Sequence, residues 1–190
     1  MHHLISTDES VREPLLIYLI GPAGSGKTFV IKGMMEICKR FSDTDCIFNA
    51  YIACASPGKA VTAIGGSTVH SALSISLSRV MPLNIEKAHQ YRTLFKFVKV
   101  LIVDEVSMVS AELLEQLNTR LKQITGLFTK YFGGLDVILI GDLRRLLPVK
   151  VIPIFKQIKK KMIGETTWRK FKKFELKQEM RQGIVSLSKF

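Results

Sequence analysis

Along the chain, short apolar runs alternate with stretches of helical periodicity. Leu15 to Ile20 is a continuous apolar run that stops at Gly21, the pattern of a strand covered on both faces. Phe29 to Arg40 follows with apolar residues spaced for an amphipathic helix. After a turn at Ser42–Asp45, Cys46 to Ala55 (CIFNAYIACA) predicts a second core strand, broken at Ser56-Pro57-Gly58-Lys59. Ala60 to Ile64 predicts one or two helical turns, which Gly65-Gly66 stops. Ser67-Thr68 then offers a cap to a short helix ending at Leu73. Ser74 to Leu83 reads as loop, Ile85 to Phe97 as helix and Val98 to Val103 as the next strand. Ser110 caps a helix with Leu113, Leu114, Leu117, Leu121 and Ile124 at helical spacing, and Gly126 ends it. Leu135 to Ile140 is a further strand. Strands alternating with helices predict an α/β fold, a parallel β-sheet with helices on both faces. Such sheets bind ligands at the C-terminal ends of their strands.

Composition narrows the class. The 190 residues are 47% hydrophobic and 23% charged, which suits one globular domain with its own core. Residues 1–14 are polar and are expected to be flexible, with 15–190 as the domain. Asp8, Glu9 and Glu13 with no apolar core do not read as a signal or transit peptide. No apolar run approaches the length of a membrane span. Cys38, Cys46 and Cys54 are odd in number and lack metal-ligand spacing, so they read as reduced, buried and intracellular.

The net charge of +12 is unevenly spread. Residues 1–143 hold 14 Lys/Arg against 13 Asp/Glu, whereas residues 144–190 hold 14 against 3. That segment interleaves Phe155, Trp168, Phe171 and Phe174 with its cations, which favours nucleic acid over a merely solvated face.

Three stretches carry chemistry, each just after a strand. Gly21-Pro22-Ala23-Gly24-Ser25-Gly26-Lys27-Thr28 is Gly, four residues, Gly-Lys-Thr between a strand and a helix. Its glycines let the backbone turn tightly and aim N–H groups inward, at a helix end that favours anions. Lys27 would reach terminal phosphates and the Thr28 hydroxyl would ligate Mg²⁺. Asp104-Glu105 follows the third strand: one carboxylate suits Mg²⁺, and the second suits polarising an attacking water. Gly141-Asp142-Leu143-Arg144-Arg145 leaves the next strand with two arginines that could meet a γ-phosphate or DNA. Arg181, in Met180-Arg181-Gln182, stands where an arginine directed at phosphate could originate.

These stretches occur in order with Ala55–Ala60, Gly66-Ser67-Thr68-Val69-His70-Ser71, Val103–Met108, Gly141–Val149 and Leu176–Gln182. The set resembles the first RecA-like domain of the PIF family of superfamily-one DNA helicases, from about Leu15 to Gln182. The resemblance implies a RecA-like P-loop NTPase fold and ATP hydrolysis with Mg²⁺. It also implies 5′-to-3′ translocation on single-stranded or forked DNA, in repair, recombination, telomere maintenance or mobile elements. A nuclear or mitochondrial setting and no membrane are expected on the same ground. Gly24, Gly26, Lys27 and Thr28 match the family's phosphate and metal ligands, Asp104 the metal-holding acid and Glu105 the water-activating one. Arg181 matches an arginine directed at the γ-phosphate. Ser56, Pro57, Gly58 and Lys59, with Thr68 and His70, match stretches that lie along DNA; His70 equally suits a packed structural histidine.

The chain departs from the family pattern in three places. The family's Gln-Leu-Pro-Pro after Gly-Asp and two residues is here Arg145-Leu146-Leu147-Pro148. An amide both donates and accepts, whereas a guanidinium only donates. The family's second RecA-like domain is expected to be missing from this sequence, and the segment that helps read adenine is not recognisable in residues 1–14. A catalytically impaired nucleotide- or DNA-binding remnant is therefore the alternative to an active helicase. A GTPase is disfavoured, since no Asn-Lys-x-Asp stretch is present.

Overall fold

The elements of this computed structural model, which describes residues 12–40, 50–55, 67–75, 82–142, 154 and 167–177, follow the predicted alternation. They are β1 (Leu16–Ile20), α1 (Lys27–Arg40), β2 (Tyr51–Ala55), β3 (Ser67–Thr68), α2 (Val69–Leu73), α3 (Ile85–Phe95), β4 (Val100–Asp104), α4 (Ala111–Thr125), β5 (Asp136–Gly141) and β6 (Lys172–Glu175). The six strands form one sheet in the order β3-β2-β4-β5-β1-β6, and every pairing is parallel. This is the RecA-like α/β architecture with helices on both faces.

The apolar runs become strands because both faces are covered. β4 and β5 are buried at every residue. Along β1, Leu16, Tyr18 and Ile20 face the layer of α2, α3 and α4, while Ile17 and Leu19 face α1. α4 buries Leu114, Leu117, Leu121 and Ile124 as one stripe. Its ends are set as the sequence predicts: Ser110 Oγ accepts from Leu113 N at 3.0 Å, and Gly126, at φ 77°, donates to Lys122 O at 2.9 Å. Thr68 caps α2 in the same way, accepting from Ser71 N at 3.1 Å. Cys54 is buried and its thiol is pushed up to about 12, chiefly by burial; Cys38 is half-buried. Cys46, the turn at 42–45 and the helical turns at 60–64 lie outside the described residues.

Two features differ from expectation. The polar N-terminal stretch was expected to be flexible to residue 14, yet the Arg12 guanidinium pairs with Asp136 and Asp136 Oδ1 accepts from Leu15 N at 2.8 Å. That ion pair fixes the chain as it enters β1; residues 1–11 lie outside the description. β6 was not anticipated, because Lys-Lys-Phe-Glu has no apolar pattern and all four residues are exposed. Backbone pairing to β1 makes it a strand, with tertiary context overriding sequence pattern. Trp168 and Phe171, just ahead of it, are partly buried and pack against the core. Trp168 lies 4.8 Å from Tyr18 and Phe171 5.7 Å from Phe132 between ring centroids. They are therefore packed apolar groups, whereas Phe174 is half exposed. Phe155 lies outside the described residues.

Gly141, the last residue of β5, is a close-approach position. A Cβ there would lie 2.9 Å from Val106 N and 3.0 Å from Val106 Cγ1. On the other side, Gly141 O accepts from Gly21 N at 3.4 Å. Gly33, in the middle of α1, is the opposite case: nothing lies within 4 Å of a Cβ built on it. Gly141→Ala is expected to cost about 2 kcal/mol and lower Tm by about 4–8 °C. Gly33→Ala is expected to raise Tm by about 2–4 °C through helix propensity. Thermal unfolding by circular dichroism checks both, and equal Tm values for wild type and Gly141→Ala would refute the close approach.

Candidate functional site

The strand ends that carry the candidate residues are level with one another. Ile20 is in register with Gly141, and Ala55 with both Asp104 and Thr68. The segments after β1, β2, β4 and β5 therefore leave the same edge of the sheet.

The glycine-rich loop closes on itself. Gly24 and Gly26 have φ of 82° and 85°, a region that glycine enters without the Cβ penalty. Ser25 N donates to Pro22 O at 3.3 Å, and Val30 N to Gly26 O at 3.1 Å as α1 begins. Lys27 Nζ reaches back to Gly21 O and Pro22 O, both at 2.8 Å, and so sits across the loop mouth. Among the described residues the buried Ser25 hydroxyl has no hydrogen-bond partner, and a Cβ on Gly21 would fall 2.3 Å from it. The positive end of the 14-residue helix α1 opens onto this turn, with Thr28 exposed in its first turn.

The acidic turn is bent back by its own backbone. Glu105 has φ 52° and ψ 48°, a left-handed conformation that costs a non-glycine residue about 1–2 kcal/mol. Its N–H donates to Asp104 Oδ1 at 2.8 Å, and Met108 N closes the turn on Glu105 O at 3.0 Å. Burial raises the Asp104 carboxyl above its ordinary value, and the Glu105 charge adds to the rise; the Glu105 N–H bond and the Lys27 cation oppose it. The two turns leave the same sheet edge although β5 separates their strands. Among the described residues no group of three or more His, Cys, Asp or Glu could hold a metal. One carboxylate and one hydroxyl, Asp104 and Thr28, suit a Mg²⁺ that keeps waters and arrives with phosphate oxygens.

Thr68 and His70 lie on the short helix α2, with Thr68 engaged as its cap and His70 partly exposed. Sequence reasoning missed what holds this helix. Arg120 of α4 is buried, and its guanidinium donates to Ser74 O at 2.9 Å and to Gln123 Oε1 at 3.0 Å. Ser74 Oγ lies 2.9 Å from Tyr91 OH, which also donates to Ala72 O at 3.1 Å. Burial pushes the Arg120 pKa down. The only sequence signal was a cation between Leu117 and Ile124 on a leucine-lined helix face. Ser56, Pro57, Gly58, Lys59, Arg145, Leu147 and Arg181 lie outside the described residues.

A model of the PIF1-like helicase family matches residues 2–189. A Trypanosoma brucei brucei protein named ATP-dependent DNA helicase PIF1 is 32% identical over 173 residues, covering 90% of this chain and 16% of its own length. The Danio rerio protein of the same name is 36% identical over 137 residues, covering 70% and 20%. Among solved structures, Pif1 helicase from Candida albicans superposes with a TM-score of 0.70 at 25% identity, covering 90% of this chain and 39% of that one. Bacteroides sp Pif1 in complex with ADP-AlF4 gives 0.67 at 26%, covering 95% and 41%. The chain thus spans a fifth or less of these curated relatives and about two fifths of the solved chains. With the family model matched over nearly its whole length and relatives above 30% identity over most of it, the chain belongs to the PIF1-like helicase family.

Proposed function

We propose that this chain is the nucleotide-binding first domain of an ATP-dependent DNA helicase, working with a second RecA-like domain. In this reading ATP hydrolysis drives 5′-to-3′ movement on single-stranded DNA and unwinding of forks, in repair, recombination or telomere maintenance within nucleus or mitochondrion. The observation that carries it is Lys27, whose Nζ is held across the mouth of the glycine-rich loop by Gly21 O and Pro22 O at 2.8 Å, on the sheet edge where Asp104 and Glu105 leave β4. Gly21–Thr28 cradle the phosphates through backbone N–H groups, and Lys27 offsets charge on the terminal ones. Thr28 and Asp104 would hold Mg²⁺, which would supply charge neutralisation for the bound phosphates. Glu105 accepts a proton from the attacking water. Arg181 meets the charge that develops on the γ-phosphate. Ser56, Pro57, Gly58, Lys59, Thr68 and His70 would contact the DNA strand.

Arg145 is the specific reason to keep a second reading, a nucleotide- and DNA-binding remnant with little hydrolysis. A guanidinium holds phosphate through charge-assisted bonds but cannot accept from water, so it strengthens ground-state binding without a transition-state gain.

Lys27→Ala is expected to weaken binding of a fluorescent ATP analogue at least tenfold, while Glu105→Gln leaves it within about twofold, since Glu105 acts on the water and not the cradle. A titration in which Lys27→Ala binds like wild type would sink the site assignment.

Asp104→Asn keeps an acceptor for Glu105 N and removes a buried charge. The folded-state pKa of Asp104 lies above its ordinary 3.8, so the folded protein retains a proton that the unfolded chain releases. Charging Asp104 therefore costs stability as pH rises from 3.8 through that raised value, and the full cost persists above it. The variant is expected to be more stable than wild type at pH 7, with the gain fading as pH falls to 3.8, yet to have lost Mg²⁺-dependent hydrolysis. Urea unfolding at several pH values checks the first part, and destabilisation at pH 7 would contradict it.

In a two-domain protein completed with a second RecA-like domain, DNA-stimulated ATPase activity is expected to be low, and Arg145→Gln with Leu147→Pro to raise it tenfold or more. Strong stimulation of the unmodified two-domain protein would show that Arg145 does the glutamine's work and would remove the remnant reading.

A further inference from the structure

Helix α2 spans five residues, too few to hold a helix alone in water. Val69 and Leu73, four apart, are buried and anchor its inner face, which leaves His70 partly exposed and Ser71 exposed on the outer one. Its N-terminus is held locally by Thr68, whose Oγ1 accepts from Ser71 N. Its C-terminus relies on other helices. Ser74 takes the left-handed cap position at φ 47° and ψ 48°, which glycine usually fills because a Cβ is disfavoured there. Ile75 N donates to His70 O at 3.0 Å around this turn.

Three side-chain hydrogen bonds from α3 and α4 hold the turn in place. The Arg120 guanidinium donates to Ser74 O, and Tyr91 OH meets both Ser74 Oγ and Ala72 O. Arg120 is 1% exposed and lies in the buried stripe of α4 between Leu117 and Leu121. A methionine would fill that position without the desolvation of a cation. Core packing therefore does not call for arginine, whereas a long donor that reaches the Ser74 carbonyl on another helix does.

We propose that Arg120 is a positioning residue for DNA binding: by fixing the C-terminal turn of α2 it holds Thr68 and His70 in the geometry that a DNA strand meets. The proposal rests on the reading that α2 contacts DNA; Arg120 itself is buried and acts through α2. Three strands lie between β3, which leads into α2, and β1, which leads into the glycine-rich loop. Loosening α2 therefore leaves the phosphate site as it is.

The test uses the full 190-residue chain, a fluorescein-labelled oligothymidylate and a fluorescent ATP analogue in anisotropy titrations, with thermal unfolding alongside. Arg120→Met is expected to keep Tm within about 4 °C of wild type and to bind the analogue as wild type does. Its affinity for oligothymidylate is expected to fall about tenfold, the order of one charge-assisted hydrogen bond. Arg120→Lys, with a single donor that can reach Ser74 O, should recover part of that loss. Equal DNA affinity of wild type and Arg120→Met overturns the proposal. So does a parallel loss of DNA and nucleotide affinity, which a role in overall stability would give. Should Arg120→Met fail to fold, Tyr91→Phe carries the test, since it removes one hydroxyl from the same turn. DNA binding about threefold weaker at unchanged Tm then supports the proposal, and equal binding overturns it. His70→Ala separates the proposal from the reading beneath it. If that variant loses DNA affinity while Arg120→Met does not, α2 contacts DNA and only the positioning role falls. If neither loses affinity, α2 is not a DNA surface and both fall.

Discussion

The candidate site depends on two turns meeting across a strand that neither belongs to. The glycine-rich loop follows β1 and the acidic turn follows β4, and β5 lies between them in the sheet. Neighbouring parallel strands are about 4.8 Å apart, so two strand spacings separate the backbones before either turn bends. The gap is closed because β5 ends in a residue with no side chain. Val106 passes where a Cβ of Gly141 would be, and Gly21 bonds to the Gly141 carbonyl. A side chain at this one position would push the acidic turn away from Lys27, whatever the loop itself looked like.

The same closure explains two unfavourable features beside it. Glu105 is held in a left-handed conformation, and Asp104 is buried with its charged form disfavoured. Neither helps the fold. The sheet can hold them because β4 and β5 are covered on both faces and carry ample buried apolar area. Strain and desolvation concentrated on two adjacent acids, next to a lysine tied to a glycine-rich turn, are what a site does when it must hold charge ready for a ligand.

Much of this could be read in the sequence, for physical reasons. Buried parallel strands are continuous apolar runs, so β1, β4 and β5 appear directly. Helix ends carry local chemistry, so Ser110, Gly126 and Thr68 mark their own roles. The loop residues Gly21–Thr28 and the pair Asp104-Glu105 form short-range patterns, and their positions at strand ends followed from the alternation. What could not be read depends on tertiary contact. β6 is a strand only because β1 pairs with it, and Trp168 and Phe171 look like residues of a basic tail until Tyr18 and Phe132 lie against them. The function of Gly141 as a crossing point required knowing that β5 lies between β1 and β4, which no local pattern encodes.

Arg120 illustrates the same limit and links the two sides of the proposed motor. The described residues give its buried guanidinium only neutral partners, Ser74 O and Gln123 Oε1. Burying an arginine this way carries a desolvation penalty that hydrogen bonds offset only in part. In exchange it ties α4, the helix that follows the acidic turn, to the C-terminal end of α2, the helix with Thr68 and His70. Tyr91 of α3 bonds to the same corner, so three helices share one polar junction on an otherwise apolar face. Among the described residues, Arg120 is the one charged group of this junction between the helix after the acidic turn and the helix that carries Thr68 and His70.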